Sequence, residues 1–184
     1  MGTIKIGSAS NRKGVTVEPD EILYNGNKVS KIMKGNVEVW KNPEFIYKLG
    51  NEYTNITGGW LSSGYTASGG GYSIMTQTKN SNNMYIYGAS GKVGLLGIQK
   101  AIDLTKYSKL YIYIKDYTIS SGYGAYLNIK NEKTWVNGEN GLLHLTSFGV
   151  MEADISNYNG LYYIFVYAHN NANRTATIEK IWLE

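Results

Sequence analysis

Leu110-Tyr111-Ile112-Tyr113-Ile114 alternates aliphatic and aromatic side chains without a break. In extended chain successive side chains point to opposite faces, so this period of two marks a strand that buries one face. Three further stretches repeat the pattern: Met84-Tyr85-Ile86-Tyr87, Ala125-Tyr126-Leu127-Asn128-Ile129-Lys130, and Leu161 through Tyr167. Between them lie Ser68-Gly69-Gly70-Gly71, Asn80-Ser81-Asn82-Asn83 and Asn170-Asn171-Ala172-Asn173, residue types that accept positive φ or cap a turn with a side chain. Uninterrupted apolar spacing at i, i+3, i+4 and i+7 is absent, so helices are not expected. The chain reads as all-β, with an antiparallel β-sandwich of jelly-roll type over residues 45–184.

The composition agrees with a folded chain. Of 184 residues, 17% are charged, below the roughly 25% usual in soluble domains, and 13% are aromatic, which supplies core material a disordered chain lacks. With no Cys there is no thiolate metal site, thiol nucleophile or redox motif. Met1-Gly2-Thr3-Ile4-Lys5-Ile6 has no signal-peptide core, and no stretch reaches the ~18 apolar residues of a membrane span. No membrane insertion is expected. The net charge of +4 is dispersed, its nearest clusters being Arg12-Lys13 and Lys28, Lys31 and Lys34, so nucleic acid is not an expected partner.

Residues 1–42 read differently. Glu21 to Tyr24, Lys28 to Met33 and Val37 to Trp40 suggest three short strands of a small N-terminal β-meander, joined by Asn25-Gly26-Asn27 and Lys34-Gly35-Asn36. Asn-Gly suits the positive φ of a type I′ turn. So small a meander is marginal alone and calls for a partner, either the larger domain or another subunit. Pro43, which cannot donate to a ladder, marks the boundary.

One phrase occurs twice: Asp103-Leu104-Thr105-Lys106-Tyr107 before Leu110-Tyr111, and Asp154-Ile155-Ser156-Asn157-Tyr158 before Leu161-Tyr162. An Asp two residues ahead of Thr or Ser caps a turn through side-chain to backbone bonds while the apolar residue between them tucks inward. Either two turns solve one local problem alike, or they lead equivalently into neighbouring core strands.

Alternation also sorts the faces. Leu110, Ile112 and Ile114, then Leu127 and Ile129, then Tyr162, Ile164, Val166 and Ala168 form core faces. Opposite them stand Tyr111, Tyr113 and Lys115; Tyr126, Asn128 and Lys130; and Tyr163, Phe165, Tyr167 and His169. An aromatic and polar face can bind sugar, the rings packing on pyranose C–H groups and the polar groups bonding to hydroxyls; cross-strand Tyr pairs that merely stabilise the sheet are the alternative. The candidate ligand-binding residues are Tyr111, Tyr113, Tyr126, Asn128, Trp135, Tyr163, Tyr167 and His169, with Tyr123 as a loop candidate and Trp60 and Trp182 assigned to the core. On this reading Tyr126→Ala removes binding at little cost in stability.

Enzyme signatures are missing. Gly71-Tyr72-Ser73-Ile74-Met75 lacks the second Gly of a nucleophile elbow, and Gly91-Lys92-Val93 lacks the hydroxyl residue and upstream Gly of a phosphate loop. His144 and His169 have no metal-ligand spacing and read as surface residues, and no Asp-x-Asp loop suggests calcium. Glu139, Glu152 and Asp154 are weak candidates for an acid pair. No catalytic residue, metal or cofactor is assigned.

From Ile22 to Trp40 the chain resembles the N-terminal segments of phage and prophage tail-associated proteins, which carry the phrase G-x-x-V-x-K-I-x-x-G-x-x-x-V-W. Gly26, Val29, Lys31, Ile32, Gly35, Val39 and Trp40 match it. Residues 45–184, ending in Ala176-Thr177-Ile178-Glu179-Lys180-Ile181-Trp182-Leu183, resemble the jelly-roll modules that such proteins share with carbohydrate-binding modules. The resemblance implies a non-enzymatic virion component of tail fibre, baseplate or receptor-binding type, made in the host cytoplasm. Its implied partners are other tail proteins, further copies of itself in a homo-oligomer, and cell-surface polysaccharide. The alternative it implies is a carbohydrate-binding module of a secreted bacterial protein.

Overall fold

A computed structural model of the chain describes residues 4–6, 22–24, 27–29, 31–34, 36–68, 72–118, 124–136, 141–169 and 175–184. The backbone divides into two units, Met1–Glu44 with Glu184, and Phe45–Leu183.

In the first unit β1 (Ile4–Ile6), β2 (Ile22–Tyr24) and β3 (Asn27–Lys28) form an antiparallel three-stranded sheet, and β4 (Lys31–Lys34) pairs with β5 (Val37–Lys41) in a separate ladder. The expected middle strand is thus two strands in two sheets. Lys28 pairs back to Leu23 and Lys31 pairs forward to Lys41. Each half takes its nearest partner, which closes the shorter loop at the smaller entropy cost. Asn25, Gly26 and Gly35 lie outside the described residues.

The second unit opens with β6 (Glu44–Lys48), a single helical turn α1 (Thr54–Thr57), β7 (Trp60–Leu61), β8 (Thr66–Ser68), β9 (Ser73–Met75), β10 (Thr78–Lys79) and β11 (Met84–Tyr87). It continues with β12 (Lys92–Ile98), β13 (Ile102–Asp103), β14 (Lys109–Thr118), β15 (Ala125–Lys130), β16 (Thr134–Val136) and β17 (Leu143–His144). β18 (Gly149–Asp154), β19 (Leu161–Ala168) and β20 (Thr175–Leu183) complete it.

A front sheet runs β10-β11-β20-β14-β18, with β6 also on β20; a back sheet runs β17-β15-β19-β12-β7, with β13 on β19 and β9 on β12. Take β11, β12, β14, β15, β17, β18, β19 and β20 as strands one to eight. The front sheet then reads 1-8-3-6 and the back sheet 5-4-7-2, the order of a jelly roll, so the fold is the expected antiparallel sandwich.

The alternating strands meet face to face. Leu110, Ile112 and Ile114 of β14 and Ile178, Ile181 and Leu183 of β20 pack in one core with Leu96 and Ile98 of β12, Leu127 and Ile129 of β15, and Ile164 and Val166 of β19. Register shifts on either side of Ile114 change the phase of β14, so Tyr117 packs against this core although Tyr111 and Tyr113 face away from it. Trp60 is fully buried in it and donates from Nε1 to the Ile46 carbonyl at 3.0 Å.

The repeated phrase makes two like crossings between the sheets. Asp103 Oδ1 accepts from Thr105 N at 3.0 Å and Oγ1 at 2.6 Å; Asp154 Oδ1 accepts from Ser156 N at 2.9 Å and Oγ at 2.6 Å. Leu104 and Ile155, between the capping pairs, are fully buried. The first turn carries β13 of the back sheet into β14 of the front, and the second carries β18 of the front into β19 of the back. They interlock: Leu104 N donates to Gly160 O at 2.9 Å, Ile155 N to Ser108 O at 2.8 Å, and Gly160 N to Thr105 Oγ1 at 3.0 Å.

Candidate functional site

Seven of the eight candidate residues divide between the outer faces of two sheets, and the eighth, Trp135, lies on β16, which pairs with β8 in a separate ladder. Tyr111 and Tyr113 stand on the front sheet, where Tyr111 lies between Glu152 of β18 and Trp182 of β20, and Tyr113 between Val150 and Lys180. Tyr111 stacks flat on Trp182, centroids 5.0 Å apart and planes 7° apart, so each ring uses a face on the other. Trp182 is therefore an outer-face residue, not the core residue expected. Of the expected acid candidates, Glu152 pairs with Lys109 at 2.6 Å and Asp154 caps its turn, while Glu139 lies outside the described residues.

Tyr126, Asn128, Tyr163, Tyr167 and His169 share the outer face of the back sheet with Phe165, but most of that face is covered. β8 and β16 pair in parallel, Thr66 with Thr134 through Ser68 with Val136, and with Tyr65, Tyr72 and Ile74 they bury a second apolar cluster. Tyr126, Tyr167 and Trp135 are inside it, Trp135 and Tyr167 fully buried. Asn128 and His169 are buried as well, so His169 is not the expected surface histidine.

Ring geometry accounts for the closure. Tyr126 lies between His144, stacked at 4.5 Å, and Tyr167, stacked at 5.4 Å. His169 meets Tyr126, Trp135 and Tyr167 edge-on at 5.5, 5.7 and 5.5 Å. Offset-stacked and edge-on pairs of this kind are the favoured aromatic contacts. The expected platform is consequently a packed layer, because its rings are satisfied by one another and by the strap laid over them. Tyr123 lies outside the described residues.

Past the end of the layer stands Tyr163, half-buried, opposite Lys130 and packed against the inter-sheet core, not within the second cluster. Beside it Tyr65 lies across β12 at Gly97, where an added Cβ would run into the Tyr65 phenol and come within 2.7 Å of Phe165 Cβ. Tyr65 Oη donates to Ile98 O at 2.9 Å, and burial holds its proton far above the usual tyrosine range. Gln99 N donates to Thr57 O at 2.8 Å and Gly59 O at 3.0 Å, which fixes the backbone. Its side-chain Nε2 donates to the carbonyls of Leu61 and Gly97, each at 3.2 Å. The amide oxygen is thereby turned to Lys133, whose Nζ donates to it at 2.9 Å. That ammonium lies 5.2 Å from the Tyr163 centroid and 5.6 Å from that of Tyr65, within cation–π range of both. Leu61 adds an exposed apolar side chain.

This end of the back sheet combines a half-buried ring, an oriented amide, an ammonium and an apolar contact. Of the expected residues it retains only Tyr163. Lys133 and Gln99 carried no sequence signal beyond a charged and a polar residue beside strands, and Tyr65 sits in a Gly- and Ser-rich stretch without alternation. The chain matches no protein-family model, no curated protein and no solved structure.

Proposed function

We propose that this chain is a non-enzymatic structural protein of a phage tail whose sandwich contributes to recognition of host-surface glycans. Its N-terminal unit docks on other tail proteins, and further copies complete a homo-oligomer. The resemblance of Ile22 to Trp40 to tail-protein segments supports the setting, and the jelly roll is an architecture used by lectin and capsid domains. The observation that carries glycan recognition is the place where the aromatic layer opens: Tyr163 beside Lys133, Gln99 and Leu61. Tyr163 and Leu61 offer surface to sugar C–H groups, and the polar pair offers bonds to hydroxyls. One such contact set binds weakly, and repeated copies raise the avidity. A carbohydrate-binding module of a secreted protein would use the same site without the docking unit.

The test is binding of the full chain to a glycan array that includes bacterial wall polysaccharides, beside light scattering. Saturable binding that Tyr163→Ala removes while the melting temperature holds supports the reading. Folded oligomer that binds no glycan leaves assembly as the role and overturns recognition.

A further inference from the structure

We infer that Lys133 is an anion-binding point, and that the ligand of this end of the back sheet is an acidic polysaccharide carrying a carboxylate or phosphodiester in its repeat. The inference rests on the glycan reading above and narrows its ligand class. Lys133 belongs to none of the ion pairs among the described residues, which join Lys79 to Glu52, Lys109 to Glu152 and Lys115 to Glu179. Its ammonium is nonetheless held in place, by the Gln99 oxygen at 2.9 Å and by two rings. Gln99 is itself clamped by the Leu61 and Gly97 carbonyls, so the lysine loses little further freedom when it binds. Gln99 takes one of three N–H donors and the rings take none by hydrogen bond, which leaves donors for an incoming oxyanion. Tyr163 flanks that position, and exposed Leu61, in register with Gly97 on β7, adds apolar surface on the same sheet for the sugar attached to the anion.

The experiment titrates the full chain with three polymers: polygalacturonate, a glycerol-phosphate polymer and neutral dextran. Acidic polymer binds, dextran does not, and affinity falls as ionic strength rises. Lys133→Met, which keeps the stem against both rings, weakens acidic-polymer binding about tenfold, the scale of a hydrogen bond to a charged group. Lys92→Met removes an equal charge at an exposed position of β12 and changes little. Which acidic polymer binds assigns the anion as carboxylate or phosphate. Equal loss in the two variants, or none in Lys133→Met, overturns the assignment to Lys133. Binding of dextran alone overturns the anionic ligand and leaves glycan recognition standing; binding of no polymer, with an array that is also blank, overturns both.

Discussion

A phenol enclosed by apolar atoms keeps its proton to higher pH than one in water, because burial disfavours the phenolate. Burial pushes Tyr47 up to about 12 and raises Tyr65 as well. The unfolded chain then releases protons near the ordinary value while the folded chain holds them, so the stabilisation is complete below about pH 10 and is lost as pH rises through the folded values. Urea midpoints are expected to fall above about pH 10, and Tyr47→Phe should flatten that decline. Asp103 and Asp154 act at the other limb. Bonds from the Thr105 and Ser156 hydroxyls, then from their backbone N–H groups, hold both carboxyls below the usual range. Their contribution is present above the ordinary carboxylate value and lost as pH falls through the depressed one. Acid titration of the doubly substituted Asp103→Asn, Asp154→Asn chain should show a shallower loss below about pH 4. Tyr126 tests the layer. Since it is buried between His144 and Tyr167, Tyr126→Ala is expected to cost about 3 to 5 kcal/mol, the scale for removing a buried aromatic, as read from denaturant unfolding. Alternation in Ala125 to Lys130 separated the two faces correctly; it carries no information about what lies over the outer one.

Single elements explain the difference. The long strands β14, β15 and β19 declare themselves by period two, and their inward residues are the core residues the pattern predicts. The strap does not. β8 reads Thr-Ala-Ser and β16 reads Thr-Trp-Val, three residues each and far apart in sequence, and only their parallel pairing makes them a cover. Short strands joined by long-range pairing leave no periodicity, so the burial of Trp135 was not legible. The repeated Asp phrase shows the opposite case. Its caps are local and were readable, but that one crossing enters the front sheet and the other the back follows from topology alone. Gly97 tests the contact between strap side and sheet. Gly97→Ala drives a methyl into the Tyr65 ring and toward Phe165, and about 1 to 3 kcal/mol of overpacking cost is expected, measured as a lowered urea midpoint with unchanged slope.

At the scale of the whole molecule, the ladders differ in how much stands on them. β14 and β20 pair along most of their length inside a two-sheet core, while β1 to β5 form one three-stranded and one two-stranded ladder. Hydrogen exchange should therefore find the slowest amides in β14, β19 and β20 and the fastest strand amides in β1 to β5; equal protection in both sets would contradict this ordering. The jelly roll also places β6 on β20, across nearly the whole length of the sandwich sequence. Leu49 N donates to Glu179 O at 2.8 Å, and the Phe45 ring lies 5.9 Å from Trp182. Residues 45 and 182 thus lie at the same end of that strand pair. Tension applied between them loads the β6–β20 ladder one rung at a time, as in a zip, while the β14–β20 ladder behind it stays unstrained until β6 has peeled away.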